Sequence, residues 1–533
     1  MSKASPTKVL ILGIDAASPE LLLKWSADGT LPNIANLIAR GLSGPTNGLE
    51  GFFIGSTWPS IYTGVSPASH GFHYLVQLRP GSYDYYRPAD HGLFHSEPFW
   101  SVLSKAGRRV AILDAPLSPL DPLLNGMQVL EWGGHDAIYG FMTQPAELIH
   151  DIRARFGEHP AGTKCDGSRN TARDYRTFVE RLVHGAEKKS AMTRHFLSKG
   201  DWDLFMQVFS EAHCAGHQCW HLHDSSHPAY DPKIAATVGD PLRHVYQAID
   251  TAIGQILEEA GDCMTFLFSS HGMSHWYGPQ FLLTEILVQL GVAHRSEVTN
   301  QTETRESLAM AALGWTWHQL PGSIRKSLAG VRQRFGPAIN RVAAGPQTID
   351  VDAGRSYCFG HRNGFAVGGI RLNLAGREAQ GILKPGTEAD AFCASLTRDL
   401  LDIVQEDSGQ PLIRRVIRVS DHYSGPRLAE LPDLLVEYND AVPIGSTTVG
   451  KGRDATVRIR SSKTGRIEGT NTYGRTGEHR AQGLLIAAGP QVSPGTFDRS
   501  ISVLDLAPTW TGILGVNLHQ AEGTAIESLT PIT

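Results

Sequence analysis

Short unbroken apolar runs alternate along this chain with segments of helical pattern. Lys8 to Ile14, Arg109 to Leu113, Leu204 to Phe209, Thr265 to Phe268 and Gly483 to Ala487 have the length and β-rich content of strands. Between the first of these and the rest, Leu31-Pro-Asn-Ile-Ala-Asn-Leu-Ile-Ala-Arg-Gly41 reads as a helix that stops on glycine. Strand, helix and strand in repetition predict an α/β fold, a mostly parallel central sheet with helices on both faces. In such sheets ligands sit beyond the carboxyl ends of the strands. The residues there are Asp15, Glu211 with His213, His271, and the loop that carries His479. Acidic and imidazole groups far apart in sequence are therefore expected to meet on one edge.

Two regions break the rhythm. Residues 135–200 are rich in His, Arg and Lys, and residues 285–350 are Gln/Thr/Arg-rich and then helical. We read the first as a lid insertion and the second as a helical cap insertion in a single domain spanning 1–533, since long insertions in compact domains usually serve a site.

A chain of 533 residues with 41% hydrophobic content can bury a large core. Its formal charge of -5 is small, and no Lys/Arg block offers a footprint for a nucleic-acid polymer. The six cysteines contain no CxxC pair, which argues against a disulfide framework and for reduced thiols in a cytoplasmic setting. The apolar run Val9 to Ile14 is too short for a signal-peptide core, and no stretch reaches the ~20 apolar residues of a membrane helix. The expectation is a soluble, unexported chain without a membrane partner.

Several motifs stand in a distinctive order: Asp15 after the first strand; Ser56-Thr57-Trp58-Pro59-Ser60-Ile61-Tyr62-Thr63-Gly64 followed by Pro67 and His70-Gly71; Ser270-His271-Gly272-Met273; and Gly477-Glu478-His479. Together they resemble the alkaline phosphatase superfamily, in its type I phosphodiesterase/nucleotide pyrophosphatase branch. Gly369 to Glu378, Leu431-Pro-Asp433 and Leu504 to Thr509 extend the likeness. The resemblance implies two metal ions, usually zinc, flanking a threonine or serine that attacks phosphorus and forms a covalent intermediate. Thr57 matches that nucleophile, and Asp15, His217, His271 and His479 match metal ligands. A hydroxyl becomes a useful nucleophile only when a metal or base lowers its pKa, and Trp58-Pro59-Ser60 places Thr57 near a helix start that favours negative charge. The bland alternative is that Thr57 only caps that helix.

Two positions depart from the family pattern. His213 stands where the family has Asp in Asp-x-x-x-His, and Ser270 stands where it has Asp in Asp-His. His213 and His217, at i and i+4, share a helical face suited to one ion, and Glu211 is a candidate replacement carboxylate. His221, His223 and His227 read as a His-rich helix surface. Losing two carboxylates leaves two divalent ions poorly neutralised, which weakens the second in a low-dielectric cleft. The site then holds one ion on His213, His217 and His479, or two ions with Glu211 or an unrecognised carboxylate compensating, or the substrate brings the missing charge.

Substrate contacts are expected from His73, Tyr74 and Arg475, with His135, His361 and Arg362 as further candidates, because a phosphate-type ligand wants cationic or hydrogen-bonding partners. The expected activity is metal-dependent hydrolysis of a small-molecule phosphodiester or nucleotide-like phosphoanhydride through Thr57. Sulfate- or phosphonate-ester hydrolysis or group transfer on the same scaffold is the alternative, and a degenerate non-catalytic binding protein is the third reading.

Overall fold

The computed structural model describes residues 8–88, 95–135, 137–162, 165–167, 169–296, 348–441, 443, 455–471 and 474–530. Its main sheet runs, from one edge to the other, through Gly495–Thr496, Leu42–Asn47, Gln482–Ala488, Met264–Ser269, Val9–Ile14, Leu204–Phe209, Val110–Leu113, Gly126–Leu130 and Met142–Gln144, with Ile501–Ser502 also paired to Leu42–Asn47. The five strands from Met264–Ser269 to Gly126–Leu130 are mutually parallel. Gln482–Ala488 is antiparallel to both neighbours. The α/β expectation is met.

Alternation along each strand sends side chains to two separate cores. Val9 and Ile11 join one apolar cluster, while Leu10, Leu12 and Ile14 join the other. That is why the runs read as continuously apolar: both faces are covered. Helices Ala172–Leu197 and Pro241–Ala260 pack against each other on the second face, and Glu211–His223, which directly follows a central strand, packs against both. A smaller antiparallel sheet of Cys358–His361, Val367–Leu372, Leu434–Tyr438 and Ile413–Arg418 stands apart from the main one.

Register places the site. Ile14 lies level with Phe209 and with Ser269, so Asp15, Ser210 and Ser270 leave three adjacent strands at one height. The short ladder of Gly272–His275 with Gly477–Arg480 sets Met273 opposite His479 and brings the C-terminal histidine to the same edge.

Within the 135–200 segment, Met142–Gln144 extends the sheet edge and Ala172–Leu197 forms a 26-residue helix begun by a Thr171/Asp174 capping box. Most of the 285–350 segment, residues 297–347, lies outside the described residues. Among the described residues, no helix is long and apolar enough to cross a membrane.

Candidate active site

Asp15, Tyr74, His135, His213, His271, Arg475, Glu478 and His479 line one cavity of about 130 Å³ at the carboxyl edge of the sheet. Asp15 is the anionic hub. Its Oδ1 accepts from Trp58 Nε1 at 2.7 Å and from Ser270 Oγ at 3.1 Å, and its Oδ2 accepts from His213 Nδ1 at 2.5 Å. Burial alone would raise its pKa, but the His213 and His271 imidazoles and these hydrogen bonds hold it far below the usual carboxylate range.

The hydrogen-bond partners fix which imidazole nitrogens carry protons. His217 Nδ1 lies 2.8 Å from the Gly477 carbonyl, which only accepts, so Nδ1 is protonated and Nε2 keeps its lone pair. Ser270 has one hydroxyl proton and gives it to Asp15, so His271 Nδ1, 3.0 Å away, must donate to Ser270 Oγ. Burial lowers the His271 pKa to about 4, against the pull of Asp15, so the ring is neutral and its Nε2 is an acceptor. His479 Nδ1, 2.9 Å from that Nε2, must then be the donor, which leaves His479 Nε2 bare. Burial also keeps His217 and His479 neutral, each well below the ordinary histidine value.

Donor atoms of His135, His213 and His217 lie within 4.8 Å of one another, close enough to share a divalent ion. His213 Nε2 and His217 Nε2 are 2.9 Å apart, and the His479 ring centroid lies 4.8 Å and 4.6 Å from theirs. Imidazoles oriented by a carboxylate and a backbone carbonyl are the usual supporting pattern of a metal site. Arg475 Nη1 now donates to His217 Nε2 at 3.0 Å. Around Ser270, Asp15 accepts three hydrogen bonds, Ser270 supplies only a neutral hydroxyl, and both His271 nitrogens are hydrogen-bonded.

Thr57 is the first residue of the helix Thr57–Thr63, fully buried, and Ser56 is the N-cap. Ser56 Oγ donates to Phe52 O, whereas Thr57 Oγ1 has no hydrogen-bond partner. Thr57 therefore does not cap the helix. A buried hydroxyl left unpaired is destabilising and calls for another explanation.

The structure thus brings together Asp15, His213, His217, His271, His479, Tyr74 and Arg475. It does not bring Glu211. That side chain leaves the first turn of its helix away from the cavity, where Oε1 meets His159 Nε2 at 2.9 Å and Lys189 Nζ at 3.4 Å. Lys189, fully buried, also faces Asp114 at 3.4 Å, so Glu211 belongs to a buried charge network. His73 is buried between the rings of Phe52 and His361 and does not line the cavity. His221 and His227 are buried rather than on a helix surface, bonded to Tyr175, Thr476 or the Thr476 carbonyl, and His223 pairs with Asp240.

Three features escaped the sequence. Glu478 lines the cavity, its Oε1 accepting from the His479 amide while Oε2 is buried without a partner; burial raises its pKa to about 7. Donor atoms of His217, Glu478 and His479 lie within 4.8 Å of one another, so Glu478 is a further candidate ligand. Asp166 holds Arg475 in a two-point pair at 3.0 and 2.8 Å. Cys165 and Cys214 are paired as a disulfide, contrary to the expectation of reduced thiols; a separation of 49 residues hides such a pair from spacing rules.

The family profile described as type I phosphodiesterase / nucleotide pyrophosphatase matches residues 9–319. Among solved structures, alkaline phosphatase PafA superposes with a TM-score of 0.50 at 13% identity, covering 99% of this chain and 100% of that one, which shows a shared fold. An inactive variant of murine ectonucleotide pyrophosphatase / phosphodiesterase 5, in complex with AMP, superposes with a TM-score of 0.46 at 10% identity over 97% of each chain. No curated protein sequence matches the chain.

Proposed function

The chain belongs to the type I phosphodiesterase / nucleotide pyrophosphatase family, and from that premise we propose a metal-dependent hydrolase that cleaves a small phosphodiester or nucleotide-like phosphoanhydride through Thr57. The observation that supports this most is the fully buried Thr57 Oγ1, which has no hydrogen-bond partner and belongs to the residue before Trp58, whose indole donates to Asp15.

His213, His217 and His479 would hold one divalent ion, zinc being the family's usual metal, with Glu478 in reach. When bound, the ion supplies positive charge to phosphoryl oxygens and makes a hydroxyl or water more acidic. The chain's own groups do the rest. Thr57 Oγ forms a bond to phosphorus as the ester or anhydride oxygen leaves, and water later releases the phosphoryl group from Thr57. Arg475, fixed by Asp166, presents a guanidinium to the cavity, where it suits a phosphoryl oxygen. Asp15 holds His213 and, through Ser270 and His271, sets the His479 tautomer.

Binding without turnover is a second reading, favoured by one observation: a neutral serine at 270 and an imidazole at 213 are the groups that donate to Asp15, together with Trp58. Thr57→Ala separates the two. For a hydrolase, turnover of nitrophenyl phosphate mono- and diesters should fall by about a thousandfold or more while metal content by elemental analysis is unchanged. Wild-type protein without turnover, or a Thr57→Ala variant as active as wild type, overturns the proposal.

A further inference from the structure

We propose that His135, Cys165 and Cys214 form a thiol-dependent site for a soft divalent ion, distinct from the three-imidazole site and abutting it.

All three side chains are buried, at 5%, 3% and 4% exposure. His135 Nδ1 lies 3.2 Å from Cys165 Sγ and 3.5 Å from Cys214 Sγ. An ion holding sulfur at ~2.3 Å and nitrogen at ~2.0 Å in tetrahedral geometry separates nitrogen from sulfur by ~3.5 Å. Both nitrogen–sulfur edges of such a site are therefore already in place. Only the sulfur–sulfur edge differs, because the two sulfurs are bonded.

A dithiol reductant closes that gap. It delivers two electrons and two protons to the Cys165–Cys214 bond, is itself oxidised to a disulfide, and leaves two thiols. A divalent ion then displaces both thiol protons and meets two thiolates and one imidazole. Charge favours this position. The two thiolates neutralise a divalent ion in full, whereas the imidazole site has a neutral ring at 213, where the family pattern has a carboxylate. Softness favours zinc-like ions over magnesium or calcium.

The placement joins the site to the active cavity. Cys214 follows His213 on the helix Glu211–His223, and the His135 ring lies 4.0 Å from that of His213 and 5.8 Å from that of His217. Cys165 comes from the 135–200 segment, so oxidation ties that segment to the helix covalently and reduction exchanges the tie for an ion.

The test uses the full chain, reduced with a dithiol, stripped by a chelator and titrated anaerobically with Co²⁺ as a spectroscopic stand-in for zinc. Thiols are counted in denaturant before and after reduction. The count should rise from four to six. The reduced protein should show thiolate-to-cobalt charge-transfer absorption that the oxidised protein lacks. Cys165→Ser and Cys214→Ser should each abolish it while Co²⁺ at the imidazole site persists. His135→Gln, which keeps both cysteines, should weaken the charge-transfer component about tenfold. A count fixed at four under reductant, Co²⁺ binding with no charge transfer in reduced wild type, or a band that survives Cys214→Ser overturns the proposal. The oxidised-against-reduced comparison stands even where a serine variant fails to fold.

Discussion

His271 Nε2 lies 2.9 Å from His479 Nδ1, and that contact makes Ser270 a positioning residue for a histidine it does not touch. The serine spends its one proton on Asp15, forces His271 to donate back, and so passes a fixed tautomer to His479. Ser270→Ala should lower divalent-ion affinity by about tenfold or more, the usual effect of removing a supporting hydrogen bond. Ser270→Asp should do something different, adding a carboxylate beside Asp15 and raising the ion count by one. Titration against a chromophoric chelator reads both, and unchanged affinity in Ser270→Ala would mean that no relay operates.

Glu211 should matter for stability and not for metal. Removing it strands Lys189, fully buried and 3.4 Å from both Glu211 and Asp114, with half of its counter-charge. Losing one member of a buried ion network costs about 3 kcal/mol or more. Urea unfolding of Glu211→Ala should show that loss while elemental analysis returns the wild-type ion count. A missing ion would restore Glu211 to the ligand set.

Much of this was legible because the fold hides its strands on both faces and ends them at the site. Asp15, His213 and His271 each sit just past an apolar run, His479 sits just before one that runs antiparallel, and His217 follows His213 by one helical turn. Glu211 was misread because helix spacing does not say which way the first turn faces, and Lys189 and His159 are remote in sequence. Glu478 was missed because alternation along a strand points neighbours of His479 to the other side, yet both line the cavity. Arg377, in the Gly369 to Glu378 stretch, is structural, gripping Asp433 at two points beside the second sheet.

Acid should destabilise the protein through buried histidines outside the proposed ligand set. Burial lowers His70 to a pKa of about 3, where Ser60 Oγ lies 2.8 Å from Nε2 and Nδ1 accepts from the Phe72 amide. His221 is likewise pushed down to about 3. A histidine depressed in the fold binds fewer protons than in the unfolded chain. Its contribution is present above pH ~6.5 and is lost as pH falls toward the folded value. Below pH ~6 the unfolding free energy should decline by about 1.4 kcal/mol per pH unit for each such group. Urea midpoints between pH 7 and pH 5 check this, with His70→Gln expected to flatten the slope by one proton.

Arg475 poses the sharpest conflict in the cavity, since its Nη1 donates to the same His217 Nε2 that an ion needs. A guanidinium cannot lose its proton under ordinary conditions, so it and a divalent ion repel each other while competing for one lone pair. Asp166 limits the conflict by holding Nε and Nη2 and neutralising the charge. Arg475→Met should therefore tighten ion binding by about tenfold, the equivalent of one unfavourable pKa unit removed. The same change should raise KM for an anionic ester by a comparable factor, because the cavity loses its guanidinium partner for phosphate. Asp166→Asn should act oppositely on the ion, freeing the guanidinium charge and weakening metal binding. Chelator competition and steady-state kinetics on both variants separate the effects. If Arg475→Met loses the ion instead, the arginine supports the imidazole site rather than contesting it.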